Sequence, residues 1–164
     1  TENTVQEHIE RALVTLNRRS TPVVAAGRTD KGVHALGQVI SFDMAFPWEP
    51  RKLRNALDAN LPESISVSLV APVPDGFNAR RSADWREYVY FVWKGQGCPP
   101  HIRPFVWRNS SDWDRGALGV LCNLLKGEHD FGAFCRKLDR PDDARRTILA
   151  GIVPSGPMRW PTTR

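Results

Sequence analysis

The chain has 164 residues, 41% of them hydrophobic and 25% charged, the balance of a globular protein with a real core. It contains no run of about 18 apolar residues, which argues against a membrane-spanning helix. Its first residues lack the basic-then-apolar order of a signal peptide, so a cytoplasmic protein is expected. The formal charge of +5 rests on 18 arginines and 5 lysines. That arginine bias suits phosphate and base contacts, and equally suits an ordinary solvated surface.

In chain order, Thr4 to Arg18 predicts an amphipathic helix. Val5, Ile9, Ala12, Leu13 and Leu16 recur at helical spacing, and Thr4 with Glu7 matches a capping box. The apolar run Val23 to Ala26 predicts a buried strand, and Gln38 to Met44 a second one. Pro50 opens a second helix with Leu53, Ala56 and Leu57 inward, ending near Asn60 before Pro62. Ile65 to Val70 predicts a third strand. The order α-β-β-α-β becomes a split βαβ ferredoxin-like unit if one strand precedes Thr1, so the chain is expected to be a piece of a longer protein.

The second half opens with Glu87 to Lys94, apolar on both faces and therefore expected to be a buried or central strand. Pro99, Pro100 and Pro104 mark a loop. Asp112 is expected to cap a helix to about Lys126, with Trp113, Ala117, Leu121 and Leu124 on one face and Gly127 as its stop. Phe131 and Phe134 follow in a turn, Arg146 to Val153 predicts a last strand, and the tail has no pattern. The expected architecture is α+β, two ferredoxin-like (RRM-like) split βαβ halves around antiparallel sheet. The amino-terminal half is 1–84 and the carboxy-terminal half 85–164, both incomplete.

Cys98, Cys122 and Cys135 are odd in number and form no CxxC pair, and the four histidines show no ligand spacing with them. No metal site or disulfide framework is expected, and Cys122 reads as a buried thiol. Neither GxGxxG nor GxxxxGK[ST] occurs, so no nucleotide cofactor is expected. Chemistry would have to come from side chains.

The segment that suggests such chemistry is Gly27-Arg28-Thr29-Asp30-Lys31-Gly32-Val33-His34-Ala35, between the first two predicted strands. Read plainly it is a polar connection with a turn at Asp-Lys-Gly. It is longer than a tight hairpin needs, and it places Arg28 two residues before Asp30. A guanidinium nearby would keep a carboxylate ionised, as an acidic nucleophile requires. His34 reads as an RNA contact or as a hydrogen-bonded loop residue.

The string AAGRTDKGVHALGQVISF resembles the signature of the tRNA pseudouridine synthase A family, in which GRTD-GVHA surrounds the catalytic aspartate. Asn3-Thr4-Val5-Gln6, Phe77-Asn78-Ala79-Arg80 with Ser82-Ala83, Tyr88-Val89-Tyr90, Leu125 to Phe131 and Arg146-Thr147 are similar to further stretches of that family. The resemblance implies the pseudouridine synthase fold, Asp30 as nucleophile, Arg28 as its partner and Tyr88 as the aromatic that stacks on the target base. It also implies tRNA as substrate, the 3′ side of the anticodon stem-loop as the modified region, and a homodimer without metal or cofactor. The family's opening strand and its methionine-valine-arginine helix have no counterpart here.

From the residues alone, Tyr88 fits a core position as well as a base platform. Arg80, Arg81 and Arg86 fit phosphate contacts or a solvated face. Two other functional classes remain: an RNA-binding relative without catalysis, and a plain RRM-like module. The strand Val23 to Ala26 lacks the aromatics that the RRM-like module needs.

Overall fold

The computed structural model describes residues 3–135 and 143–153. They form a mixed α/β arrangement of three helices and three two-stranded sheets, in two compact units that divide between Val89 and Tyr90.

In the first unit, helix α1 spans Val5–Asn17. Thr4 caps it, its hydroxyl accepting from the Glu7 N–H at 3.2 Å. The reciprocal half of the expected capping box does not form, because the Glu7 carboxylate turns to Arg11 one helical turn on. The helix ends on Arg18 in the left-handed region, at φ 55, with its N–H donated to the Val14 carbonyl at 2.9 Å. Helix α2, Pro50–Ala59, starts with proline at its first turn, and the Glu49 carboxylate accepts from the Arg51 N–H at 2.9 Å. The two helices close a core of Ala12, Leu13, Val23, Leu53 and Leu57. Ile9, Leu16, Ile40, Phe42, Met44, Val67 and Val70 pack around it. The helical spacing thus identified the inward residues of both helices, except for Val5, which is exposed.

Strands are shorter than the apolar runs suggested. Strand β1 is Val24–Ala25 and β2 is Ile40–Ser41, an antiparallel pair in register Val24↔Ser41 and Ala25↔Ile40. The run Ile65 to Val70 forms no ladder among the described residues. Val67 and Val70 still face the core, and α2 side chains hold the backbone of Val67: its N–H donates to Asp58 at 2.7 Å and its carbonyl accepts from Arg54 at 2.8 Å. Apolar periodicity dictates which face turns inward, whereas a ladder also needs a neighbouring strand about 4.8 Å away.

In the second unit, β3 (Val92–Lys94) and β4 (Trp107–Asn109) pair in parallel, joined by a crossover of about a dozen residues containing the Pro-rich loop. The expected strand Glu87 to Lys94 is thus confined to its last residues. Strand β4 itself was not foreseen. Helix α3 is Arg115–Leu124, and its cap is Asp114, not Asp112: the Asp114 carboxylate accepts from the Gly116 N–H at 2.7 Å. Asp112 is taken instead by Lys94, Nζ to Oδ1 at 2.6 Å. No residue of α3 is buried, and Leu121 and Leu124, expected inward, are exposed. Nothing among the described residues covers that face. Cys122 is half-buried rather than buried, with Gly151 passing close to it; a Cβ at Gly151 would lie 3.0 Å from the Cys122 Cβ. Strands β5 (Gly127–Asp130) and β6 (Arg145–Ile148) pair antiparallel, β6 starting one residue before its expected position and ending five earlier. Helix α3 stops on Leu125, not on Gly127 as expected; Gly127, at φ 107, is instead the first residue of β5. The tail beyond Val153 lies outside the described residues.

Candidate active-site loop

Strands β1 and β2 act as the two posts of a long loop. Beyond the last ladder pair, the Ala26 N–H donates to the Val39 carbonyl at 2.9 Å, which extends the pairing by one rung. The chain leaves the sheet at Gly27 and returns at Gln38, whose side-chain amide donates to the Gly27 carbonyl and closes the loop base. At the far end the Val33 N–H donates to the Asp30 carbonyl at 3.1 Å, and Gly32 takes φ 87, a value that glycine adopts without strain. The Asp-Lys-Gly turn expected from sequence therefore forms at the tip, with Asp30 as its first residue.

Arg28, Asp30 and His34 are all solvent-exposed. Among the described residues Arg28 and Asp30 form no ion pair with each other, whereas Arg11–Glu7, Arg54–Asp58 and Lys94–Asp112 do pair. Water solvates both exposed groups, and an exposed pair contributes little.

A second segment is tied to the same posts. Asn78 organises a turn, its side-chain oxygen accepting from the N–H groups of Arg80 and Arg81, each at 3.1 Å. Ala79 is buried, and its N–H donates to the Ser41 hydroxyl on β2 at 3.2 Å. Arg86 then reaches back. Its Nε and Nη2 donate to the Ala26 carbonyl at 3.2 and 2.6 Å, and Nη2 also donates to the Arg80 carbonyl at 3.1 Å. Arg80 and Arg81 are exposed. Sequence patterning had offered Arg86 as a phosphate contact or part of a solvated face. A guanidinium directed at main-chain carbonyls leaves no periodic signature, and the only hint was its position two residues before Tyr88.

Tyr88 is 72% exposed, which removes the core reading of that residue. Its strand neighbour Tyr90 is exposed as well. The apolar character of both strand faces had argued for burial, but the ladder begins only at Val92. Among the described residues no group of three or more His, Cys, Asp or Glu side chains stands close enough to hold a metal ion.

The Gly27 to Ala35 loop, raised on a strand pair, and the turn at Ala79 and Arg80 both lie within or at the edge of the stretch that one family profile matches. The profile of the family described as tRNA pseudouridine synthase matches residues 1–80 of this chain. Among its relatives is the tRNA pseudouridine synthase A of Bacillus licheniformis, 38% identical over 149 residues, which covers 90% of this chain and 60% of the relative. That of Streptococcus pneumoniae is 39% identical over 145 residues, covering 88% of this chain and 58% of the relative. That of Shouchella clausii is 38% identical over 154 residues, covering 93% and 59%. The chain therefore spans about three-fifths of the length of the curated relatives it matches.

Proposed function

We propose that the whole protein is a tRNA pseudouridine synthase, an isomerase that uses Asp30 as its nucleophile. The observation that carries this reading is the exposed Asp30 at the tip of a loop fastened at its base, within a chain akin to proteins named tRNA pseudouridine synthase A. The reaction breaks the bond between ribose C1′ and uracil N1 and forms one between C1′ and C5. N1 gains a proton and C5 loses one, so no oxidant, reductant or group donor is consumed. The target base has to leave the helical stack to be reached. A carboxylate is competent to add to C6 of the uracil or to C1′ of the ribose, and either addition holds the fragment while the base turns.

Tyr88, exposed, offers a ring face on which an extruded base can stack, a contact worth about 1–3 kcal/mol that does not depend on the base. The exposed Arg80 and Arg81 suit phosphates, and Arg28 and His34 extend the polar surface of the loop. The modified uridines lie on the 3′ side of the anticodon stem-loop, and the protein works in the cytoplasm as a homodimer without metal or cofactor. Each half completes a ferredoxin-like split βαβ unit in the whole protein, the first half being 1–84.

The test is pseudouridine mapping on unmodified tRNA incubated with the whole protein and with its Asp30→Ala variant. Modification of the anticodon arm by the unsubstituted protein and none by Asp30→Ala, with tRNA binding retained, is the expected result. Residual turnover in Asp30→Ala would remove Asp30 from its role. Binding of tRNA without modification by the unsubstituted protein would make this an RNA-binding relative without catalysis.

A further inference from the structure

On the reading that Asp30 is the nucleophile, we infer that Arg86 is a positioning residue: its guanidinium fixes the root of the loop that carries Asp30 and acts on the reaction through that loop. Three observations converge on the root. The Ala26 N–H is held by the Val39 carbonyl at 2.9 Å, and the Gly27 carbonyl by the Gln38 side chain. The Ala26 carbonyl accepts two hydrogen bonds from Arg86, at 3.2 and 2.6 Å. The peptide between Ala26 and Gly27 is thereby gripped on its oxygen, one residue before the chain departs from the sheet.

The same guanidinium donates to the Arg80 carbonyl at 3.1 Å, in the turn that Asn78 organises and that Ala79 fastens to Ser41 of β2. Arg86 therefore bridges the outgoing post of the loop to a turn that is itself anchored on the returning post. Only a planar fork with several donors spans two carbonyls in this way; a lysine ammonium reaches one of them without the fixed geometry. Charged donors on carbonyls also form the stronger class of hydrogen bond, which suits a fastening in an exposed place. Arg80, Arg81 and Arg86 are all exposed, and what sets Arg86 apart is its fork, committed to the main-chain carbonyls of Ala26 and Arg80.

A nucleophile displaced by about 1 Å loses on the order of a hundredfold in rate. Loss of the clamp is accordingly expected to act on kcat, whereas a phosphate contact acts on KM and on the salt dependence of tRNA binding. The experiment measures both in the whole protein for Arg86→Met and Arg86→Lys, together with hydrogen exchange of the Ala26 amide. Expected are a kcat lowered on the order of a hundredfold in Arg86→Met and about tenfold in Arg86→Lys. KM and its salt slope stay unchanged, and the Ala26 amide exchanges faster in both variants. A raised KM with a shallower salt slope and an unaltered kcat would overturn the inference and make Arg86 a phosphate contact. Unaltered exchange of the Ala26 amide would overturn it too. The exchange arm needs no substrate, so it decides the clamp even if the unsubstituted protein forms no pseudouridine, an outcome that would refute the functional reading instead.

Discussion

Asn17 is the most consequential polar residue of the first unit, and its replacement offers the sharpest test of how that unit is held together. It is 1% exposed at the last position of α1. Its Nδ2 donates to the Thr21 hydroxyl at 2.7 Å and to the Asp43 carbonyl at 3.1 Å, while Oδ1 accepts from the Ala45 N–H at 2.7 Å. One amide thus ties the end of a helix to the connection leading into β1 and to the chain leaving β2. Asn17→Leu keeps the volume and removes all three bonds. At about 1 kcal/mol net for each, the loss is roughly 3 kcal/mol. Asp43 and Ala45 are exposed, so water can replace their lost partners, and Thr21 keeps its own donation to the Arg19 carbonyl at 3.1 Å. Added apolar burial by leucine offsets part of the remainder, leaving about 2 kcal/mol of destabilisation. Urea titration followed by far-UV circular dichroism reads this as a midpoint lowered by roughly 1 M, for a slope of about 2 kcal/mol/M. Thr21→Val, which removes a single one of Asn17's bonds, should cost about half as much. An Asn17→Leu midpoint equal to that of the unsubstituted protein would refute the view that this amide network stabilises the unit.

Other consequences are open to measurement. Arg18 occupies the left-handed region without being glycine, so Arg18→Gly should raise stability by about 0.5–1 kcal/mol, read as a higher thermal midpoint; a lower one would refute the strain argument. Tyr88→Phe should leave the melting temperature nearly unchanged, because the side chain is exposed, while lowering turnover. An insoluble or strongly destabilised Tyr88→Phe protein would instead restore the core reading. Lys94 holds the Asp112 carboxyl below its usual value of 3.8, first through their hydrogen bond and then through charge attraction. A lowered folded pKa makes the pair's small contribution fully present above the unfolded value and lost as pH falls through the folded one. In Lys94→Met the Asp112 titration, followed by carboxyl NMR, should move up toward 3.8, and an unmoved titration would dissolve the pair.

The helices were legible in the sequence because their determinants are local. Thr4 before Val5 and Glu49 before Pro50 each satisfy the chain within a few residues. Spacing alone marked Leu13, Leu53 and Leu57 as the core. The Asp-Lys-Gly turn is local in the same sense, and so the turn that places Asp30 at the loop tip was legible. Asp112 was misjudged as a cap because two aspartates stood near the helix start, and Lys94, which claims Asp112, is remote in sequence.

What the sequence determined by itself, then, was the position of α1 and α2, the faces they bury, and a polar loop with a carboxylate at its tip. Tertiary structure alone decided how many residues of each apolar run entered a ladder, whether Tyr88 faced solvent, and where the Arg86 fork went. Strand pairing and side-chain capture of distant carbonyls join residues far apart in the chain: Arg86 and Ala26 stand 60 residues apart, Ala79 and Ser41 38. Local propensity carries no record of such a partner, because the free energy of each contact exists only once the fold has brought both groups together.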